Sequence, residues 1–349
     1  MLYDFVLIGQ GIAGSVLSYT LLKQGQKVLV INNSQGHCSS LVAGGIFNPI
    51  TGKNLVKTWQ ADTLFPYMLA FYQDLELALD TKFLHRVEIY RPFRSLQEQN
   101  DWLAKTASPT LKNYLQEADD SYFQGAIHNP FGGIATMQSG WVDLPTFLAS
   151  YRGFLLSKLA YREENFEIDE IRFGNETIIY KDIETHYLIF CTGAEAFRSS
   201  LWSFLPFSPV KGETIDIFVP EAKFEKIVNQ GVSIVPLGGR VYRVASTYSW
   251  KNIDWQCSEE AKTELIAKTK LILRLPFEVI GQKAGIRPAT KHRRPMMGFH
   301  PQKARIGIFN GLGSKGVSLA PFWAKHFVEH ILEKKPLHSE LINVSGYSV

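Results

Sequence analysis

Cysteine is scarce. The 349-residue chain has three, Cys38, Cys191 and Cys257, far apart and in no zinc-ligand or CxxC spacing. That excludes a disulfide scaffold, a zinc site and a dithiol redox site. An odd count without pattern suits a reducing compartment. No apolar run approaches the roughly 20 residues that a membrane-spanning helix needs. The opening MLYDFVLIGQG has no basic stretch before its short apolar run, so it does not read as a secretory signal. A cytoplasmic protein with no membrane partner is expected. Charge is modest: 20% of residues are charged and the net formal charge is +4. That is too little to imply nucleic acid by itself. The one dense basic group is Lys291, His292, Arg293 and Arg294, which reads first as a solvated loop. Internal repeats and low-complexity segments are absent. What the chain has in quantity is apolar and aromatic: 45% hydrophobic residues, with 23 Phe, 14 Tyr and 7 Trp. These suffice for a substantial core and an aromatic-lined pocket. At roughly 100–200 residues per domain, the length suggests two domains.

The N-terminus carries the sharpest local signal. Tyr3 to Ile8 reads as a buried strand that runs into Gly9-Gln10-Gly11-Ile12-Ala13-Gly14. Ser15 to Lys23 has helical periodicity, Gly25 closes it, and Lys27 to Ile31 is a second apolar strand. This is a βαβ start with GxGxxG in its turn, the context in which that pattern means dinucleotide binding. The first glycine permits the tight turn, the second lets backbone approach a pyrophosphate, and the third lets helix and strand pack closely. The helix N-terminus then offers N–H groups and a positive dipole to phosphates. The second strand should end in Asp or Glu for the ribose hydroxyls, but Asn32 and Asn33 stand there. An amide still hydrogen-bonds a hydroxyl without the charge. That position alone leaves the choice of cofactor open.

Further along, His37 to Asn48 is rich in small residues, with Cys38-Ser39-Ser40 and Ala43-Gly44-Gly45. Such a stretch lets backbone lie against a ligand. Helices are expected over Asp62–Leu79, Leu96–Ala107, Pro109–Gln116, Thr146–Leu159 with Pro145 at its entry, Ser258–Leu273 and Val317–Glu333. Phe83 to Arg91 reads as strand. Phe166 to Ile179 reads as two antiparallel strands turned at Gly174-Asn175. A buried strand, Tyr187 to Cys191, closes on Thr192-Gly193-Ala194, a second place for backbone to meet a nucleotide. Strands follow over Gly212–Val219, Val232–Val235, Arg240–Thr247 and Ile280–Pro288. The chain closes with strand Ile306–Asn310, the loop Gly311-Leu312-Gly313-Ser314-Lys315-Gly316, and the helix beginning at Val317. That is a third helix N-terminus facing a glycine-rich loop.

The order of motifs resembles the D-amino-acid oxidase/glycine oxidase family of FAD-dependent oxidoreductases. The resemblance rests on the GxGxxG start, the Ala-Gly-Gly loop, GWVDLP, the strand ending CTGA, PVKGE, VASTY, GIRPAT…PMMG and NGLGSKGVSLAP. It spans nearly the whole chain. Within the family the pattern is most similar to the FAD-dependent domain of the bifunctional tRNA wobble-uridine enzymes, with glycine oxidases next. The methyltransferase half of the bifunctional enzymes is absent. The resemblance implies FAD, and an α/β fold in which a doubly wound, Rossmann-like FAD domain is interleaved with a mostly antiparallel substrate domain. The expected division is 1–82, 139–209 and 281–349 for FAD, and 83–138 and 210–280 for substrate.

It also implies the chemistry: oxidation of a C–N bond of an amine or amino acid by hydride transfer to flavin N5, with the imine then hydrolysed. The cofactor set is Gly9, Gly11, Ile12, Ala13, Gly14, Asn32, Asn33, Ser40, Ala43, Gly44, Gly45, Phe166, Ile168, Thr192, Gly193, Ala194, Arg287, Gly311, Gly313, Ser314, Lys315, Gly316 and Val317. Arg287, in GIRP, is the expected carboxylate-binding residue. Lys315 stands where related glycine oxidases carry an Arg; it keeps the charge but not the bidentate fork. Tyr242, Arg243 and Tyr248 lie on or beside the strand expected over the flavin. Sarcosine oxidases carry a Lys on the similar strand, and Arg243 is the candidate for its part, against a plain salt bridge. No metal is expected. Partners are a small amine and oxygen or another electron acceptor, with tRNA less favoured. The competing functions are action on a modified wobble uridine of tRNA, and an FAD-binding electron-transfer or regulatory protein.

Overall fold

A computed structural model describes residues 1–348 of the chain. Among them the α-helices are α1 (Ile12–Lys23), α2 (Ala61–Leu79), α3 (Leu96–Thr106), α4 (Leu144–Ser157), α5 (Glu259–Ile272) and α6 (Gly316–Glu333). The strand Leu2–Ile8 lies at the heart of a nine-stranded sheet. Tyr161–Glu163, Val28–Asn32, Leu2–Ile8, Ile183–Phe190 and Lys303–Asn310 run parallel in that order. Met296–His300 returns antiparallel beside the last of these, and Ile342–Asn343 adds to its far side.

The parallel strands are buried on both faces, which is why they read as continuous apolar runs rather than alternating ones. Phe5, Leu7, Val30, Ile189 and Phe309 point to the side where residues of α1, α2, α4 and α6 pack. Val6, Ile8, Leu29, Ile31, Leu188 and Phe190 point to the other, against Tyr180, Trp202 and Leu205. The entry to α4 is set locally. The Asp143 carboxylate accepts the Thr146 N–H at 3.1 Å, and Pro145 sits in the first turn, where no intrahelical N–H is needed.

A second sheet has eight strands, in the order Glu278–Arg287, Val210–Phe218, Val241–Ala245, Ser233–Gly238, Ile227–Asn229, Ile89–Pro92, Gly133–Thr136 and Leu115–Glu117. All neighbours are antiparallel except Ile227–Asn229 with Ile89–Pro92. One face is covered by α5, whose Leu265 and Ile272 pack with Ile215, Ile217, Ile234 and Val244. Ser258 caps that helix by accepting the Ala261 N–H. The opposite face turns towards the first sheet.

Several expectations are corrected. Residues 109–116 are not a helix. Tyr114 and Leu115 pack with Trp102 and Phe93, and Leu115–Glu117 pairs with Gly133–Thr136, so sheet pairing overrides the local helical period. Residues 83–91 are not one strand. Leu84–Arg86 pairs with Gly140–Val142 and Ile89–Pro92 joins the eight-stranded sheet. The hairpin expected from Phe166 pairs from Ile171, because Ile168–Glu170 is a turn of 3-10 helix. Glu278–Arg287 is one continuous strand of the second sheet, so a boundary at 280/281 falls inside it.

Candidate active site

Where the parallel strands end, the chain leaves a cavity of about 810 Å³ between the two sheets. Its wall includes Ile8, Ile31, Asn32, Cys191 and Asn310, at the carboxyl ends of four strands. That is where doubly wound sheets bind nucleotides.

The Gly9–Gly14 turn forms one wall. Gly9 has φ +100°, and a Cβ there would lie 2.9 Å from the Cys191 carbonyl oxygen. A Cβ on Gly14 would come within 1.9 Å of the Gly9 oxygen. These two glycines are required by the protein's own packing. Gly11 differs: the nearest atom to its Cβ position is Ser40 Oγ at 3.5 Å. It precedes α1, and no side chain of its own caps that helix. The Ile12 N–H donates to Ser40 Oγ at 3.2 Å. An open helix N-terminus beside a residue without a side chain is a cradle that fits a pyrophosphate.

Asn32 ends its strand with both ends of its amide engaged. Its Oδ1 accepts the Gln10 N–H at 2.9 Å, and its Nδ2 donates to Tyr161 Oη at 3.3 Å. Asn33 bonds Asn165 at 2.7 Å. Phe166 stacks on Tyr180 with ring centroids 4.3 Å apart and lines the cavity. Ile168, in the 3-10 turn, packs against the core of the first sheet and does not line it. Ser40, Ala43, Gly44, Gly45 and Thr192–Ala194 all do. Asn310 Nδ2 donates to the Gly193 carbonyl at 2.9 Å and so joins two of the glycine-rich loops.

At the other end, Gly313, Ser314, Lys315, Gly316 and Val317 bring the N-terminus of α6 to the cavity. Gly311 does not line it; its φ of +74° lets the chain pass Thr290 and Met296. Lys315 Nζ donates to Thr58 Oγ1 at 3.3 Å. Burial, then Arg294 and Arg293, pull its ammonium below the usual lysine range.

Arg287 crosses from its strand over Gly212, where a Cβ would meet the guanidinium at 2.2 Å. It donates to the Lys211 and Thr247 carbonyls at 3.2 and 3.0 Å and to Ser246 Oγ. Its guanidinium carbon lies 4.1 Å from the centroid of the Tyr248 ring. Burial pulls its pKa down. Three of its five N–H groups are engaged, which leaves two for a ligand.

Two candidates are placed elsewhere. Arg243 is 5% exposed and does not line the cavity. It forms a two-pronged pair with Asp216, at 2.8 and 2.9 Å, and donates to the Ala43 carbonyl at 3.3 Å. Tyr242 points to the opposite face, with its hydroxyl on the Phe224 carbonyl at 3.0 Å. Tyr248 does line the cavity. Sequence reasoning missed Gly212, Asn310 and Arg91 as lining residues. PVKGE held the signal for the first, a glycine inside a strand, which marks close approach.

Six Lys, Arg, Asp or Glu residues line the cavity: Arg91, Arg152, Arg287, Lys315, Glu164 and Glu195. Lys181 already pairs with Glu164 at 2.6 Å. The excess of cations, the open helix N-termini and the position at the strand ends define a cavity for an anionic dinucleotide. Residues 4–330 match the sequence profile of the FAD dependent oxidoreductase family (DAO), and the chain belongs to it. Its cofactor is FAD. The chain is similar to a glycine oxidase of Geobacillus kaustophilus (strain HTA426), 22% identical over 366 residues that cover 95% of this chain and 93% of that one. Among solved structures, the glycine oxidase of Bacillus cereus ATCC 14579 superposes with a TM-score of 0.79 at 18% identity, over 99% of this chain and 98% of that one. Iminodiacetate oxidase from Chelativorans sp. BNC1 gives 0.78 at 18% identity, over 97% and 99%. No helix among the described residues is long and apolar enough to cross a membrane.

Proposed function

We propose that this FAD-dependent oxidoreductase oxidises the C–N bond of a small amine or amino acid, with oxygen or another acceptor taking the electrons. FAD, when bound, supplies the hydride acceptor. The first turn of α1 with Ser40, Thr192–Ala194 and Asn310 would hold its phosphate side, and the loop Gly313–Val317 its flavin side. Lys315 and the N-terminus of α6 would stabilise negative charge there. Arg287 would take a substrate carboxylate through its charge and one of the two N–H groups it has left, on Nε or on the Nη that already meets Lys211, and the Tyr248 ring would fix the guanidinium plane. The amine must be neutral to release hydride, and an amine that binds in its neutral form, its proton left to solvent, needs no base from the protein. Water in the cavity hydrolyses the imine. In this reading the nine-stranded sheet belongs to the FAD domain. The eight-stranded sheet, including all of Glu278–Arg287, belongs to the substrate domain. The three free cysteines support a place in the cytoplasm.

The observation that carries the reading is Arg287, a cation drawn into the cavity wall with carbonyl and hydroxyl partners and no acid of its own. The three relatives named above are, by name, oxidases of glycine or of iminodiacetate, both carboxylated amines. The test is anaerobic bleaching of the flavin by a panel of primary and secondary amines. Bleaching that grows with pH, and weakens when the carboxylate is replaced by an amide, supports the reading. A flavin that no amine reduces, but a partner protein does, leaves an electron carrier instead.

A second reading puts a modified wobble uridine of tRNA in the same cavity. It is favoured by Tyr248 and Trp250, which are 59% and 68% exposed and stack with centroids 6.5 Å apart. Lys291, His292 and Arg293 are exposed as well, whereas Arg294 is tied to Glu340 and stacked on Trp59. Bleaching by tRNA but by no free amine would decide for it.

A further inference from the structure

Arg91 lines the same cavity as Arg287, far across the sheet from it. The Arg287 guanidinium lies over Gly212 and against Ser246 and Thr247, beside the end of the strand Val241–Ala245. From that strand to the one bearing Arg91 there are three strand spacings, through Ser233–Gly238 and Ile227–Asn229. At about 4.8 Å each, these separate the two ends by roughly 14 Å. The register makes the floor between them continuous. Ala245 pairs with Ser233, Ser233 pairs with Asn229, and Asn229 follows Val228, which lies beside Tyr90. Ala245, Ser233, Asn229 and Arg91 all face the cavity.

Arg91 is 7% exposed. One Nη donates to the Gly52 carbonyl at 3.1 Å, and the guanidinium packs 4.7 Å from the Trp102 ring centroid. Its Nε and its other Nη are buried with no partner. Burial lowers its pKa to about 10; Glu98 offsets this only in part, and Arg94 adds to it. A buried cation with unpartnered donors is unfavourable unless an anion meets it. The carbonyl that covers it belongs to Gly52, an exposed residue in the turn between Ile50–Thr51 and Val56–Lys57, where it also accepts the Leu55 N–H at 3.4 Å.

We infer that Arg91 binds a second anionic group of the substrate, a carboxylate or phosphate at the far end of a chain whose amine reacts beside Arg287. The anion takes the place of the Gly52 carbonyl on one Nη and at the same time meets one of the two unpartnered donors, Nε or the other Nη, along a shared edge of the guanidinium. The substrate class is therefore an elongated amine with an acid at each end, since a molecule the size of glycine cannot span the floor. The inference rests on the amine-oxidation reading and narrows it.

The test uses the holoenzyme and three series of N-alkylglycines of increasing length, ending in a carboxylate, a carboxamide or a phosphonate. Flavin reduction is followed anaerobically. At one chain length the acid should exceed its amide in kcat/KM by about tenfold or more, the difference lying in KM. The ratio should fall to near one in Arg91→Gln and partly return in Arg91→Lys. Because each ratio is internal to one variant, a general folding defect cancels. The carboxylate and phosphonate arms tell which anion is preferred. A ratio near one at every length, or a ratio that survives Arg91→Gln, overturns the inference.

A readout without turnover separates the two readings. Titration with adipate, suberate or inorganic phosphate should change tryptophan emission, and the change should vanish in Trp102→Phe and in Arg91→Gln. If amines fail to bleach the flavin but this signal holds, the anion subsite stands and amine oxidation falls. If amines bleach it and acid and amide are not distinguished, amine oxidation stands and the subsite falls.

Discussion

The Arg287 guanidinium carbon sits 4.1 Å from the centre of the Tyr248 ring, although 38 residues of sequence separate the two. The ring fixes the plane of the cation while the Lys211, Ser246 and Thr247 oxygens fix its edge. A cation–π contact contributes about 0.5–2 kcal/mol depending on solvent exposure. Tyr248→Phe should therefore leave kcat/KM for a carboxylated amine within about twofold, and Tyr248→Leu should raise KM several-fold. Steady-state kinetics of both variants check this. Equal losses in the two would mean that the hydroxyl, not the ring face, matters.

Gly212 is where a single methyl group should displace Arg287. A Cβ there overlaps the guanidinium. Gly212→Ala should lower kcat/KM for carboxylated amines by about tenfold or more while FAD stays bound, since the loss of a charge-assisted bond is worth about 1.5–3 kcal/mol. Flavin content and kinetics measured on the same preparation separate the two effects. Unchanged kinetics would show that the carboxylate is held elsewhere.

Gly11→Val should abolish FAD binding, because the side chain would fill the space at the N-terminus of α1 that a pyrophosphate needs. The visible spectrum of the purified variant is the measurement. In the unmodified protein, acid precipitation should leave the flavin in the supernatant. A yellow pellet would reveal a covalent link.

Arg287→Lys should act mainly on KM, since charge survives and the fork is lost. Arg287→Ala should lose more. In the unmodified enzyme kcat/KM should rise from pH 6 until the substrate amine is neutral. A steady fall from pH 6 to 9 would count against amine oxidation.

Glu76 gives a pH-dependent stability. Burial raises its pKa, but the Leu84 and Phe83 N–H groups and Lys82 outweigh that and hold it below the usual carboxylate value. A depressed folded-state pKa stabilises the fold above the unfolded value, and that stability is lost as pH falls through the folded one. Glu76→Gln should lower the unfolding free energy by about 1–3 kcal/mol at pH 7, and by less at pH 4. Urea titrations at the two pH values test the sign. A larger deficit at pH 4 would refute it.

The local chemistry of the chain already determines the parallel core and the nucleotide turn. Phe5 to Ile8 are continuously apolar because they are buried on both faces. Gly9 and Gly14 are glycine because backbone from the same βαβ unit and its neighbouring strand comes within contact distance. Those demands act over a few residues and leave a mark at each position. Asp143 with Pro145, and Ser258 before α5, are local in the same sense. The partners of the arginines are not. Arg243, Arg287 and Arg91 are one residue type on three strands of one sheet. The first is matched by Asp216 across a strand pair, the second is led over Gly212 into the cavity, and the third is left without an acid under Gly52. Which of these fates an arginine meets depends on strand order and register. Those are set by pairings between strands distant in the sequence, such as Ile227–Asn229 with Ile89–Pro92, so only the tertiary structure decides them.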